Sequence, residues 1–493
     1  MKPLKNVNLF GILVYLVFAI FYFWMAAQVP YTHDDWDWGL DIGLQQLLTA
    51  SINSRYAGNF FVVVMTRSKI AKTLIMGTGY FLLPLVLSET VYGRTDVLIS
   101  KEKLIGFILC NILLLSMDIS IWRQTYGWVA GYANFGISSI FLCIIFRQIL
   151  NVFNDTLSEP CRFHSRSVAL FLMCLIGQLF IENIAIYVFL TSIFVNCIHW
   201  YRIKRISYEN ISMFLAALLG LIIMFSSSLY KTLWSTGEAI DGYRQLWINS
   251  ESSVQSFITG CIRQIIKMPY CLYAKNTSVC IAIIVLMSIL WIQRIPNEPL
   301  RKICFVVNGL ISACLLLCHL GGMLAVSVTS VVFFVAITAE LIVLFKDEKL
   351  LLSKMFFIWI SPICIILPLA MTSELGSRLF FTSNTVLILF TLFLLRFSLK
   401  SIPSKRFLSV ALFTLACVIL LRYGVVYYAI GECNEQRNTI IENAIKKGSS
   451  TIFMPKYPYP NYLWGPNPVN AEREQYFKIF YNIPDNISIV FDE

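Results

Sequence analysis

Long apolar runs recur along this 493-residue chain, separated by short connections rich in lysine and arginine. A helix needs about 20 apolar residues to cross a hydrocarbon core of roughly 30 Å. Runs of that kind fall at 9–28, 73–91, 104–121, 128–146, 167–183, 184–200, 209–229, 279–293, 303–320, 322–345, 355–371, 379–395 and 407–430. They predict an all-α polytopic membrane protein of about 13 transmembrane helices. The alternating segments of about ten residues that a membrane β-barrel requires are absent.

Charge orients these spans. The connections at 92–103, 147–166, 201–208, 294–302, 346–354 and 396–406 each hold at least three lysines or arginines, whereas the turns near 182, 320 and 374 hold one or none. By the positive-inside rule the amino terminus and the basic loops face the cytoplasm. Residues 29–72, residues 230–278 and the tail from 431 then lie outside. The chain divides accordingly into a membrane domain, 1–430, and a small extracytoplasmic α/β module, 431–493. In that tail, 434–447 reads as a helix stopped by Gly448, 450–454 and 487–491 as strands, and 471–480 as a second helix. Between them the proline- and aromatic-rich run 455–468 reads as a stiff loop. Residues 37–68 read as interfacial helices whose basic neighbours Arg67, Lys69 and Lys72 reach lipid headgroups; the alternative is a tilted or broken span ending at Arg67, which would put the carboxyl terminus inside.

Composition changes the picture little. The net charge of +11 fits basic loops facing anionic lipid, not nucleic acid. Most of the 14 cysteines sit in apolar runs as packing residues; Cys261 and Cys271 share an external loop and are candidates to pair.

The candidate chemistry clusters behind the first span, in Tyr31-Thr-His-Asp-Asp-Trp-Asp-Trp-Gly39. Carboxylates beside a bilayer are costly unless solvated, paired or metal-bound. Asp34, Asp35 and Asp37 are therefore either solvated helix caps or reactive groups: a general base, with a neighbour that orients an acceptor or holds a metal. Trp36 and Trp38 fit the interfacial aromatic belt. Glu182, an acid at a turn between two spans, is a second candidate acid or, with Asp35, a candidate ligand for a divalent cation such as Mg or Mn. Arginine matches phosphate geometrically, which singles out Arg378 and Arg55. Arg378 has an alternative as the ion-pair partner of Glu374. Lys231, Arg244 and Asp241 are candidate substrate contacts or plain solvated surface. His33 borders the acids, and Tyr457, Tyr459, Tyr462 and Trp464 either stack on sugar or pack the tail.

An acidic pair directly after the first span, then interfacial helices and many further spans, resembles the GT-C superfamily of integral membrane glycosyltransferases. More narrowly, the chain is similar to a bacterial multi-pass family. The likeness rests on the Asp-Asp-Trp element, on Asn53-Ser-Arg-Tyr-Ala-Gly-Asn59, on Gly376-Ser-Arg378 and on Tyr476-Phe-Lys-Ile-Phe-Tyr-Asn-Ile-Pro484. Ser54 stands where that pattern more often has glycine. The resemblance implies a bacterial plasma-membrane enzyme that moves a sugar from a polyprenyl-phosphate carrier to a lipid- or wall-linked glycan, teichoic acid or glycolipid. It also implies that the first-loop acid, Asp34 or Asp35, is the catalytic base. Other readings are a flippase or transporter for lipid-linked sugars, which needs ionisable residues deep in its spans, a polysaccharide polymerase, and a purely structural membrane protein.

Overall fold

The structure, a computed structural model, describes residues 8–93, 100–154, 165–236, 254–317, 323–373, 375–400 and 402–491. Among them are eleven helical stretches long and apolar enough to cross a membrane, running from Leu9–Gln28 to Lys405–Lys447. The chain is thus a membrane-embedded, mainly helical protein. Two segments expected as spans form shorter helices, Lys101–Leu115 and Ser165–Gln178. At about 1.5 Å per residue these reach only some 20 Å.

Two helices form the centre of the bundle: Ser377–Ser398 and Val129–Phe153 are 89% and 83% buried, against 22% for the peripheral Glu298–Leu317. Peripheral helices bury one stripe and show lipid the rest, as Ile303, Val306 and Leu310 do. Polar side chains tie the central helices to their neighbours. Asn276 Nδ2 donates to Asn384 Oδ1 at 2.7 Å, and the hydroxyls of Ser139 and Thr382 meet at 2.9 Å. Inside the second central helix, Tyr132–Gly136 takes π-helical form, a local widening that recurs at functional sites.

The last apolar helix runs well past the end of its apolar stretch. Lys405–Lys447 is one helix of 43 residues, about 64 Å long, twice the hydrocarbon thickness. The expected domain boundary at 430 therefore falls inside an unbroken helix. Trp122 Nε1 donates to Tyr427 Oη at 2.8 Å, and Tyr423 Oη donates to the Leu115 carbonyl at 2.7 Å, anchoring its middle. Gly448, at φ +62°, ends it: the Ser449 N–H returns to the Ala444 carbonyl, a closure that needs a left-handed residue. Beyond it, Thr451–Met454 pairs in parallel with Ser488–Phe491, and Ala471–Phe480 crosses between them.

Residues 35–67 form three short helices, Asp35–Gly39, Asp41–Thr49 and Tyr56–Arg67. Two of their basic neighbours, Arg67 and Lys72, differ from expectation. Arg67 donates to the Trp38 carbonyl at 2.7 Å and also to that of Leu40. Lys72 is buried, its Nζ on the Val29 carbonyl and 5.0 Å from the centre of the Tyr31 ring. These cations satisfy backbone carbonyls where headgroup contact was expected. Cys261 and Cys271 are both free and lie on one helix, Val254–Leu272. Ten residues of helix separate them by about 15 Å, beyond disulfide reach.

Candidate active site

Both central helices begin at the same end of the bundle, and the candidate residues gather around their amino termini. Helix amino termini present free N–H groups and a partial positive charge. Asp35 answers one of them directly. Its Oδ1 accepts from the Ala130 N–H at 2.9 Å, its Oδ2 accepts from the Thr32 N–H at 2.9 Å, and the side chain is fully buried. Burial raises its carboxyl to about 8, against the two backbone N–H groups that favour ionisation. Both oxygens accept a backbone N–H and the side chain has no exposed surface, so Asp35 pins the loop to the central helix.

Asp34 is placed differently. Its side chain is 28% exposed, and its Oδ1 lies 2.6 Å from His33 Nδ1 and 2.7 Å from Arg473 Nη2. Its Oδ2 accepts no hydrogen bond from any described residue. Burial pushes this carboxyl up, but the hydrogen bond and charge of His33 and the cations Arg473 and Arg378 hold it below the usual carboxylate range. The same guanidinium bridges to Asp37 Oδ1 at 2.8 Å. Asp37 is buried and, with ionised Asp34 beside it, is pushed up to about 7.

Arg473 comes from the tail, and close packing brings it there. Trp36 meets Phe477 edge-on at 5.1 Å, and Tyr31 meets Phe480 at 5.4 Å. At two seams only glycine fits. A Cβ on Gly39 would lie 2.3 Å from the Phe480 ring, and one on Gly127 would lie 1.9 Å from the Tyr462 carbonyl oxygen. Asn470 caps the tail helix by accepting from the Arg473 N–H at 2.9 Å, which places Arg473 in its first turn.

The second half of the site is a cavity of about 240 Å³. Arg55 reaches it because the Ala57 N–H donates to the Leu179 carbonyl at 3.0 Å, joining the Asn53–Asn59 segment to the hairpin before Glu182. Asn53 Oδ1 shapes that segment by accepting from the Arg55 N–H at 3.0 Å and from Asn59 Nδ2 at 2.9 Å. Arg55 then grips Glu182 through Nε and Nη2 at 3.0 and 2.8 Å. Tyr230 Oη donates to the same carboxylate. Asn183, behind it, donates to the Ile365 carbonyl at 3.1 Å. Ile186, Phe225, Leu233 and Leu369 make the walls apolar.

Arg378 lines this cavity and faces the acid loop. The Gln124 side chain accepts its backbone N–H at 3.1 Å, and its guanidinium lies 5.7 Å from the centre of the Trp128 ring. It forms no ion pair with any described residue. Glu374, its alternative partner from the sequence, lies outside the described residues, as do Asp241 and Arg244. Since Glu182 neutralises Arg55, Arg378 gives the cavity its net positive charge among the described residues.

Of the residues expected to bind substrate, Arg55, Glu182 and Arg378 share one cavity; Asp34 does not line it, although the charge of Arg378 acts on its carboxyl. Lys231 is exposed and does not line the cavity; Tyr230 and Trp234 of the same helix do. Asp37 is spent on Arg473. Tyr457 is stacked under Arg437 at 3.8 Å, Tyr462 is buried, and Trp464 packs on His33 at 5.9 Å. Arg473 and Tyr230 had been missed, although the spacing of Tyr230, Leu233 and Trp234 on one helical face was a usable signal. As for a divalent cation, the oxygens of Asp35 and Glu182 are already engaged, and no three His, Cys, Asp or Glu side chains among the described residues are grouped as ligands. With Asp35 buried on two backbone donors and Glu182 held by Arg55 and Tyr230, these residues do not fit such an ion. The chain matches no protein-family model, no curated protein and no solved structure.

Proposed function

We propose that the protein is a glycosyltransferase that takes a sugar from a polyprenyl-phosphate carrier and delivers it to a lipid- or wall-linked acceptor glycan, teichoic acid or glycolipid. In this reading it sits in a bacterial plasma membrane with the acid-loop end and the tail outside and the amino terminus inside. The observation that carries the reading is that Arg378, which forms no ion pair with a described residue, lies in an apolar-walled cavity and acts by its charge on Asp34, whose Oδ2 accepts no hydrogen bond from a described residue. A guanidinium suits the phosphate that joins a lipid chain to a sugar and the lipid phosphate monoester released from it, and the apolar walls suit the first isoprene units. A carboxylate with one oxygen held and one free suits a base.

The step follows from those placements. Asp34 Oδ2 accepts the proton of the acceptor hydroxyl as that oxygen bonds to the anomeric carbon. The bond from that carbon to the phosphate oxygen breaks, and the electron pair leaves with the lipid phosphate, whose charge Arg378 stabilises. Arg55 is held by Glu182 and Tyr230, so it shapes the cavity floor and leaves phosphate binding to Arg378.

The test is transfer in proteoliposomes from polyprenyl-phosphate glucose, galactose, mannose or N-acetylglucosamine, radiolabelled in the sugar, to a bacterial envelope extract. Asp34→Asn should abolish transfer at unchanged protein levels. Full transfer by that variant would end the proposal.

A further inference from the structure

The reactive carboxylate of this site is not held by the membrane domain alone. Two nitrogens approach one oxygen, Asp34 Oδ1, and they arrive from different parts of the chain: His33 Nδ1 at 2.6 Å from the loop itself and Arg473 Nη2 at 2.7 Å from the tail helix. We propose that Arg473 is a positioning residue, carried to the site by the C-terminal tail, that fixes Asp34 Oδ1 against His33 so that Oδ2 is presented to the acceptor hydroxyl, and that the site is complete only with the tail docked. The inference rests on the glycosyltransferase reading and extends it to a segment nearly 440 residues further along the chain.

Three features support the assignment. An arginine in the first turn of a helix opposes the helix dipole. Arg473 occupies that turn, fixed there by the Asn470 cap, and is offset by two carboxylates bridged at 2.7 and 2.8 Å. A fork that spans two acids fixes their separation as well as their charge, which a lysine cannot do.

The opposing contact is prepared with equal care. His33 has φ +52°, uncommon for a residue with a side chain. Its ring is boxed by Trp128 and Trp464, each at 5.9 Å, and by Gly465, where a Cβ would come within 2.6 Å of it. Trp464 and Gly465 belong to the tail, so the tail grips both sides of Asp34. Third, Asp37 completes the bridge and is buried beneath it, which ties the arginine in place from below.

Arg473 does not line the cavity that holds Arg378, so its loss should spare phosphate binding. The groups facing Asp34 are His33, Asp35 and Asp37 of its own loop, Arg473 of the tail and Arg378 of the turn before the central helix. Removing the Arg473 charge leaves Asp34 easier to protonate, so the acidic limb of the rate profile moves to higher pH.

The experiment uses the full chain in the same proteoliposome assay, with farnesyl phosphate as the binding probe. Arg473→Gln should lower kcat at least tenfold with KM and farnesyl phosphate affinity unchanged, and should shift the acidic limb upward. Arg473→Lys, which keeps the charge and the docked tail, should recover part of kcat and part of the shift. Protection of the tail from protease reports docking in each variant. Should Arg473→Gln undock the tail, Arg473→Lys carries the test, and wild-type kcat with an unshifted limb in a docked Arg473→Lys overturns the proposal. Wild-type kcat and limb in a docked Arg473→Gln overturn it too. If Asp34→Asn is inactive in those same preparations, only the role of Arg473 is lost; if Asp34→Asn is active, the glycosyltransferase reading is lost with it.

Discussion

Replacing Arg378 by glutamine is the most informative single change at the cavity. Arg55 is neutralised by Glu182 at 2.8 Å, so among the described residues Arg378 alone gives the cavity net charge. A unit charge 4 Å from a phosphate oxygen is attracted by about 4 kcal/mol at an effective dielectric of 20. Desolvation of both groups takes back part of that, and hydrogen bonds to charged groups contribute about 1.5–3 kcal/mol net. At about 1.4 kcal/mol per decade, that is a loss of roughly 10- to 150-fold in affinity. The assay is calorimetric binding of farnesyl phosphate, with farnesol as the uncharged control. Arg378→Gln should lose affinity for the phosphate and leave farnesol unchanged, and Arg378→Lys should lie between them because it keeps charge without the fork. Equal phosphate affinity in wild type and Arg378→Gln would refute the reasoning, because no other uncompensated cation among the described residues lines the cavity.

Other outcomes follow from the same geometry. Glu182→Gln should destabilise the protein by about 3 kcal/mol, since it leaves a largely buried guanidinium without its partner; the Arg55→Gln/Glu182→Gln double variant should recover most of that loss in thermal melts. Asp35→Asn turns an amide against one of two backbone donors and should cost about 1–3 kcal/mol, seen as a lower Tm and lower yield. Gly127→Ala sets a methyl group on a backbone carbonyl that cannot move aside, so the 455–468 loop should become protease-sensitive while the spans stay intact. Asp37, raised to about 7 in the fold, binds a proton there that the unfolded chain releases near pH 4. Its stabilising contribution is whole below about pH 4 and fades as pH rises through 7. Tm should therefore fall between about pH 4 and 7 and level off above that, and Asp37→Asn should flatten that fall.

The spans were legible because lipid imposes a composition on every residue facing it: Leu9–Gln28 reads the same from the apolar run and from the helix. The turn chemistry of Gly448 and the strand at 451–454 were legible for similar local reasons. What local pattern cannot carry is which polar groups meet. Asp34 and Asp35 are adjacent and chemically identical, yet one caps the Val129 helix and the other faces solvent, a difference set by a helix that starts nearly 100 residues later. Arg473 reads as an ordinary polar residue of a surface helix until the glycine seams at Gly39 and Gly127 bring the tail down on the acid loop. The continuous Lys405–Lys447 helix was divided in two because its polar second half reads as soluble, although helical hydrogen bonding crosses the membrane surface without a break.

The central claim is that a lipid-linked phosphate occupies the cavity between Arg378 and Glu182 with its sugar toward Asp34. Its most direct test is photo-crosslinking in proteoliposomes, with a polyprenyl phosphate carrying a diazirine in its first isoprene unit, followed by peptide mapping. Labelling should concentrate on Phe225–Trp234 and Pro368–Leu379, compete with unlabelled polyprenyl phosphate and vanish in Arg378→Gln. Labelling spread over the lipid-facing helices, indifferent to competitor and to that variant, would contradict the account.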